Sequence, residues 1–369
     1  MAERTEHYRI LYPRRRILRF FMSALGRFLM SILTRPTIIG YENLPKGGPL
    51  IVVGNHVAIV EAMMLAIYVP WTIEIIGNGD IPMDPRYAWL TKLWGFIPVR
   101  RGSVDRDEMR LPLDVLKQNG IIGLFPEGGI WETKMKKART GVAWLSYHAN
   151  APVIPIGFGG MQGALRAALR FQRPKVVMNI GKVMPPVSGK IEGMSRKEAL
   201  EYGANNIMAH VEALIPEEEK RSWKKIQDER FDFKFIVHDV MGDKEIPVLH
   251  PQGLGKFFHR PVILDVMARN MNLPVQPLQQ LGVEHNAARL ADAVDVALKF
   301  LDDNPHFLSY RFGYKEAADM YAGVAELRDL ARQAAAQRQA ISLQPIRHYR
   351  RDGDTQEITE TLPGMMHEM

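Results

Sequence analysis

Residues 51–61 read IVVGNHVAIVE, and the reading of this stretch decides the fold. Ile51, Val52 and Val53 are β-branched, and an apolar run this short between turn signals suits a buried strand. Gly54 and Asn55 are turn residues. The chain then becomes helical in pattern through AIVEAMMLAIYV, to about Val69. His56 therefore stands at a strand-to-helix junction, at the rim of a sheet. Glu61 lies five residues further on, in the helix, where its carboxylate can reach back to the imidazole. That is the geometry of an oriented general base. A helix-start histidine with an ordinary helix glutamate fits these few residues as well, so the surrounding chain has to decide.

Working outward, short apolar strands alternate with helices of about a dozen residues over positions 40–190. Thr37–Gly48 reads as a strand and a Pro/Gly turn, and Trp71–Ile76 as a strand. Trp94–Gly102 (WGFIPVRRG) reads as a strand ending in two arginines. Asp105–Asn119 has a helical period, with Met109, Leu113 and Leu116 on one face. Gly120–Phe125 is wholly apolar and is closed by Pro126–Gly129. A helix over 138–149 and strands at Ala151–Phe158 and Lys175–Ile180 follow. This pattern predicts an α/β fold with a mostly parallel central sheet covered by helices. Ligands of such sheets sit at the carboxyl ends of the strands. His56, Arg100–Arg101 and Glu127 each fall just past a predicted strand end, so three strands can bring them to one rim.

The chain has no cysteine, which removes disulfides and thiolate chemistry. Its 11 histidines are scattered without a helical metal-ligand pair. The net charge is +7, and residues 1–40 carry nearly all of it, with eight arginines against two glutamates. Within this arm, 14–35 reads RRRILRFFMSALGRFLMSILTR. Arg19 and Arg27 interrupt it, so it is a poor membrane-spanning helix, and no cleavage site makes it a signal peptide. The pattern predicts a basic amphipathic helix lying in a bilayer interface, arginines among headgroups and Phe and Leu at the acyl boundary. Packing of one face on the chain's own domain is compatible with this. No other basic patch follows, which argues against nucleic acid.

Residues 195–229 are helical and then charged, broken at Pro216, and close the first domain. Phe231–Asp239 and Glu245–Leu249 read as short strands. Asn286–Asp303 and Tyr314–Gln339 read as amphipathic helices. The predicted organisation is a helical arm at 1–40, an α/β domain at 41–229, a mainly helical C-terminal extension at 230–346, and a polar, flexible tail at 347–369.

Four blocks occur in order: NHVAIVE (55–61), GFIPVRRG (95–102), FPEGG (125–129) and APVIPIGF (151–158). Together they resemble the motif blocks of the glycerolipid acyltransferase family, best known for lysophosphatidic acid acyltransferases. The resemblance covers about residues 14–190. It implies an enzyme of phospholipid biosynthesis that moves an acyl group from an acyl thioester, acyl-CoA or acyl-carrier protein, to a hydroxyl of a lysophospholipid-like acceptor. It further implies that His56 is the general base and that Glu61 orients and stabilises the ring. Arg100 and Arg101 would bind the acceptor phosphate, for which a guanidinium fork is suited. Glu127 and Gly128 would shape the acceptor site, and Pro152, Val153 and Pro155 would support the site or the acyl pocket. Neither cofactor nor metal is implied. The partners implied are membrane lipids and the acyl donor, and the location is peripheral, on the cytoplasmic face of a membrane.

The chain departs from the family twice. Glu61 stands where the family has aspartate, in a His-x4-Asp motif. After Gly129 it has Ile130-Trp131-Glu132 instead of a small hydroxyl residue and an arginine, which bears on the identity of the acceptor. Two other readings stay open: a catalytically weak or inactive lipid-binding protein on the same fold, and a thioesterase that uses the same base with water.

Overall fold

The computed structural model describes residues 10–79, 82–99, 109–126, 139–223, 226–271, 276–351 and 355–361. In chain order its first part contains α1 (Arg16–Leu33), β1 (Arg35–Ile39), β2 (Leu50–Gly54), α2 (Val60–Tyr68), β3 (Ile73–Asn78), α3 (Pro85–Trp94) and β4 (Ile97–Val99). Then follow α4 (Arg110–Lys117), β5 (Ile121–Leu124), α5 (Gly141–Ala149), β6 (Val153–Gly159), α6 (Ala164–Leu169), β7 (Lys175–Ile180), α7 (Arg196–Leu214) and α8 (Glu217–Trp223). The second part contains β8 (Ile226–Asp239), β9 (Gly242–Ile246), α9 (Pro251–Phe258), α10 (Pro261–Met271), α11 (Gln276–Gln279), β10 (His285–Asn286) and α12 (Ala287–Asp303). It ends with α13 (His306–Phe312), α14 (Tyr314–Ala336), β11 (Ala340–Arg351) and β12 (Glu357–Glu360). The chain divides into two compact units. Among the described residues, one comprises 10–79 and 90–221, and the other 82–89 and 222–361.

The first unit is the expected α/β layer structure. Its seven strands run in the order β1-β7-β6-β2-β5-β3-β4. All pairings are parallel except β6 with β7. β2 lies in the middle, between β5 and β6. All five of its residues are buried, as a strand covered on both faces requires. The period of two assigns them to two layers. Leu50 and Val52 join a cluster with Met30 of α1 and Val60, Met64 and Leu65 of α2. Ile51 and Val53 join Val115 and Leu116 of α4, Val142 and Leu145 of α5 and Val211 of α7.

The arm is a helix, but not all its arginines face outward. Arg19 is only 3% exposed. Its guanidinium donates to both carboxylate oxygens of the fully buried Glu74 (2.8 Å each) and to the Trp94 carbonyl. Arg14 Nε also donates to Glu74, at 2.9 Å. Arg15 Nη1 donates to the carbonyls of Lys92 and Leu93, in the last turn of α3. These carbonyls have no partner within the helix, and a cation there is favourable. The expectation that the arm's arginines sit among headgroups is thereby corrected for Arg14, Arg15 and Arg19, which anchor α1 to its own unit. Gly26 allows close approach of α1 and α2: a Cβ there would lie 2.8 Å from Ile67 Cγ2. The opposite face of α1 stays open, with Phe20 and Phe21 each 64% exposed, Leu25 59% and Phe28 61%. No described helix is long and apolar enough to cross a membrane.

In the second unit the helices α9, α12 and α14 accompany a five-stranded antiparallel sheet, ordered β10-β11-β8-β9 with β12 on β11. Alternation places Phe231, Phe233, Phe235 and Val237 of β8 inward. Arg269 of α10 pairs with Asp84 at 2.7 Å, which ties residues 82–89 into this unit. Part of the expected flexible tail is strand. β11 continues to Arg351, and β12 pairs with it from Arg347↔Glu360 to Arg350↔Glu357. Its charges are spent on neighbouring strands: Arg347 contacts Glu229 at 2.6 Å and Glu360 at 3.4 Å, and Arg230 contacts Glu357 at 2.8 Å. Residues 352–354 and 362–369 lie outside the described residues.

Candidate active site

Asn55 fixes the end of β2. It is 1% exposed, and its amide makes a two-way bond with Phe158 of β6. Asn55 Nδ2 donates to the Phe158 carbonyl (3.1 Å), and the Phe158 N–H donates to Asn55 Oδ1 (2.7 Å). Both halves of a buried amide are thereby satisfied, and the turn carrying His56 is held to the neighbouring strand.

His56 follows, its side chain 20% exposed. Its ring stacks on Phe125, the residue after β5, with centroids 4.4 Å apart and planes 20° apart. Phe125 in turn leans on Phe158 at 6.4 Å. Gly54 makes room for both rings: a Cβ there would lie 2.6 Å from Phe158 Cε2 and 3.3 Å from Phe125 Cε1. Asn55, Phe125 and Phe158 thus orient the histidine, and none was singled out from the sequence. Phe125 and Phe158 fall inside the third and fourth blocks, where they read as ordinary strand-end aromatics. Their shared position becomes visible only once β5 and β6 are known to flank β2.

Glu61 is completely buried in the first turn of α2. No side chain caps the helix from Ile59. Instead the Glu61 carboxylate folds back over the start of the helix. Oε1 accepts from the N–H groups of Val57 (2.7 Å) and Ala58 (2.9 Å), and Oε2 accepts from Ala58 (3.1 Å). A carboxylate on helix N-terminal amides is electrostatically favoured. Oε2 also lies 3.8 Å from His56 Nδ1, within ion-pair range but longer than a hydrogen bond. The extra methylene of glutamate is absorbed by this fold-back, and the anion stays beside the ring.

The fold therefore places His56 and Glu61 side by side. Arg100, Arg101, Glu127 and Gly128 lie outside the described residues. β4 ends at Val99 and β5 at Leu124, and both run parallel with β2. Of the fourth-block residues, Pro155 pairs with Val53, one residue before the end of β2, whereas Pro152 and Val153 lie further from His56. Val153 pairs with Ile51 near the beginning of β2, and the Pro152 carbonyl accepts from the Ile51 N–H. Pro152 and Val153 secure the far end of the strand pair, while Phe158 contacts Asn55 and Phe125 at the site.

Residues 35–159 match the family described as Acyltransferase. The chain is 23% identical over 166 residues to the 1-acyl-sn-glycerol-3-phosphate acyltransferase of Bacillus subtilis, covering 44% of this chain and 80% of that protein. It is also similar to the crystal structure of the 1-acyl-sn-glycerophosphate acyltransferase PlsC from Thermotoga maritima, with a TM-score of 0.41 and 19% identity over 57% of this chain and 84% of that one. The segment that matches the Acyltransferase family, residues 35–159, is the one in which His56, Glu61, Phe125 and Phe158 meet.

Proposed function

We propose that the protein is a membrane-surface acyltransferase. It moves an acyl group from a thioester, acyl-CoA or acyl-carrier protein, to the hydroxyl of a lysophospholipid-like acceptor. The observation that carries this reading is the His56–Glu61 pair, with Nδ1 turned toward a buried carboxylate at 3.8 Å, in the segment that matches the acyltransferase family. The name of the Bacillus subtilis relative supports the class of acceptor.

In this reading, Nε2 of His56 takes the proton as the acceptor oxygen attacks the thioester carbonyl. The C–S bond then breaks, and the imidazolium returns the proton to the leaving thiolate. Glu61 offsets the charge on the ring between the two steps, and the Phe125 stack keeps the ring in plane for both. A positioned base contributes about 10²–10⁴-fold, and holding donor and acceptor together supplies much of the rest. Arg100 and Arg101 bind the acceptor phosphate, and Glu127 and Gly128 border it. The outer face of α1 rests in the bilayer interface on the cytoplasmic side. Its exposed Phe20, Phe21, Leu25 and Phe28 support this.

Mass spectrometry of products from a mixed acyl-CoA pool and a lysolipid panel tests the reading. Acylated lysolipid with an equal amount of free CoA is expected. Free fatty acid without acylated lipid would assign a thioesterase, and an untouched thioester pool would assign a lipid-binding protein.

A further inference from the structure

Between β6 and β7 the chain forms a corner, ALRAALRFQR (164–173), that the acyl-transfer site does not use. α6 buries Ala164 and Ala168 and packs Leu165 on the core. Its end is turned the other way. Leu169 is 64% exposed and Phe171 75%. Phe171 (φ +58°) and Arg173 (φ +48°) both occupy the left-handed region, which disfavours bulky side chains. The chain thus adopts an unfavourable backbone conformation in order to hold a phenyl ring in solvent, and the fold gains no burial from it. Arg166, Arg170 and Arg173 are exposed around the two apolar side chains, and no carboxylate pairs with them among the described residues.

The corner is tied to the end of α1. Arg173 Nη2 donates to the Ser31 carbonyl at 3.1 Å, and Arg35 donates from Nε to the Arg173 carbonyl at 2.9 Å and from its N–H to the Pro174 carbonyl at 2.8 Å. The last turns of α1 expose Phe28, Leu29 and Ile32. The two segments share one composition, large apolar side chains beside Arg27 and Arg35 on one and Arg166, Arg170 and Arg173 on the other, and none of these five pairs with a carboxylate among the described residues.

We infer that residues 166–173 are a second lipid-contact element, continuous with the outer face of α1. Leu169 and Phe171 enter the boundary between headgroups and acyl chains, and Arg166, Arg170 and Arg173 meet lipid phosphates. With α1 this gives the first unit a wider contact than one helix, which fixes its orientation on the surface where a single helix would leave it free to roll. This inference rests on the interfacial reading of α1.

The absence of cysteine makes the test site-specific. Phe171→Cys in the full chain is labelled with an environment-sensitive fluorophore and mixed with phosphatidylcholine vesicles containing one-third phosphatidylglycerol. Leu25→Cys on α1 and Tyr202→Cys on α7 serve as references. Labels at 171 and 25 should shift to the blue and gain intensity severalfold, and the label at 202 should not change. Replacing Arg166, Arg170 and Arg173 by Gln should weaken binding about five-fold for each arginine, on anionic vesicles only. A label at 171 that stays aqueous while 25 shifts overturns this inference and leaves α1 as the sole contact. If neither shifts, the interfacial reading falls as well. A shift at 171 that needs protein concentration and no lipid would assign the corner to self-association and overturn the proposal.

Discussion

Glu61→Gln should slow acyl transfer by roughly 10²-fold, within a span of about 10–10³-fold, while leaving the fold intact. The carboxylate does two things: it accepts three bonds from the Val57 and Ala58 N–H groups, and it places a negative charge 3.8 Å from His56 Nδ1. A glutamine oxygen still accepts from both amides, so stability should fall only by the difference between charged and neutral acceptors, about 1–2 kcal/mol. The charge, however, is gone. At 3.8 Å two unit charges interact by roughly 4 kcal/mol at an effective dielectric constant of 20. The imidazolium is only partly formed in the transition state, which brings the loss to about 2–4 kcal/mol, and each 1.36 kcal/mol is tenfold in rate. Glu61→Ala is the contrasting variant: it also strips both amides of their acceptor and should cost about 2–4 kcal/mol of stability. A thiol-reactive chromophore follows CoA release without background, because the chain has no cysteine. A Gln variant that turns over at the wild-type rate would refute the reasoning. So would a rate lost only in step with a collapse of the melting temperature. Either result would make Glu61 a helix cap with no part in the chemistry.

Further predictions follow from buried polar groups. Glu74→Gln leaves Arg19 charged and 3% exposed and should cost about 3–5 kcal/mol in urea unfolding; a change within about 1 kcal/mol would show that the pair does not hold α1. Asn55→Ala breaks both bonds to Phe158 and should lose about 2–3 kcal/mol together with most activity, whereas full activity at unchanged stability would remove Asn55 as the anchor of His56. His259 is buried, which lowers its pKa from the usual histidine value, with Arg347 and Arg260 acting in the same direction and Glu360 against. Its folded pKa lies below its unfolded one, so it stabilises the second unit at neutral pH and this contribution is lost as pH falls below about 6.5. The fall in urea midpoint between pH 7.5 and 5.5 should be smaller in His259→Gln, and an equal fall in both proteins would contradict the assignment.

The central sheet was legible because its strands are short apolar runs between turn signals, and β2, β5 and β6 are buried on both faces. Lys175–Ile180 matches β7 residue for residue, and Ala151–Phe158 lies within two residues of β6. The His56–Glu61 pair was legible for the same reason, since a fixed strand end sets the spacing. Other features were hidden by long-range contacts. The partner of Arg19 is Glu74, 55 positions away, so Arg19 reads locally as a headgroup residue. Phe125 and Phe158 meet His56 only through strand order. At the C-terminus, β11 and β12 carry arginines and glutamates that pair across strands, and an outer strand with such a face has the composition of a solvated tail.

The most direct test of the central claim is His56→Ala, assayed by product mass spectrometry with an acyl-CoA donor and a lysolipid acceptor. With the base removed, formation of acylated lipid should fall by about 10²–10⁴-fold, while the unfolding midpoint changes little because Asn55 still holds the turn. Acyl transfer from the thioester to the lysolipid at an undiminished rate would contradict the assignment of His56 as the general base.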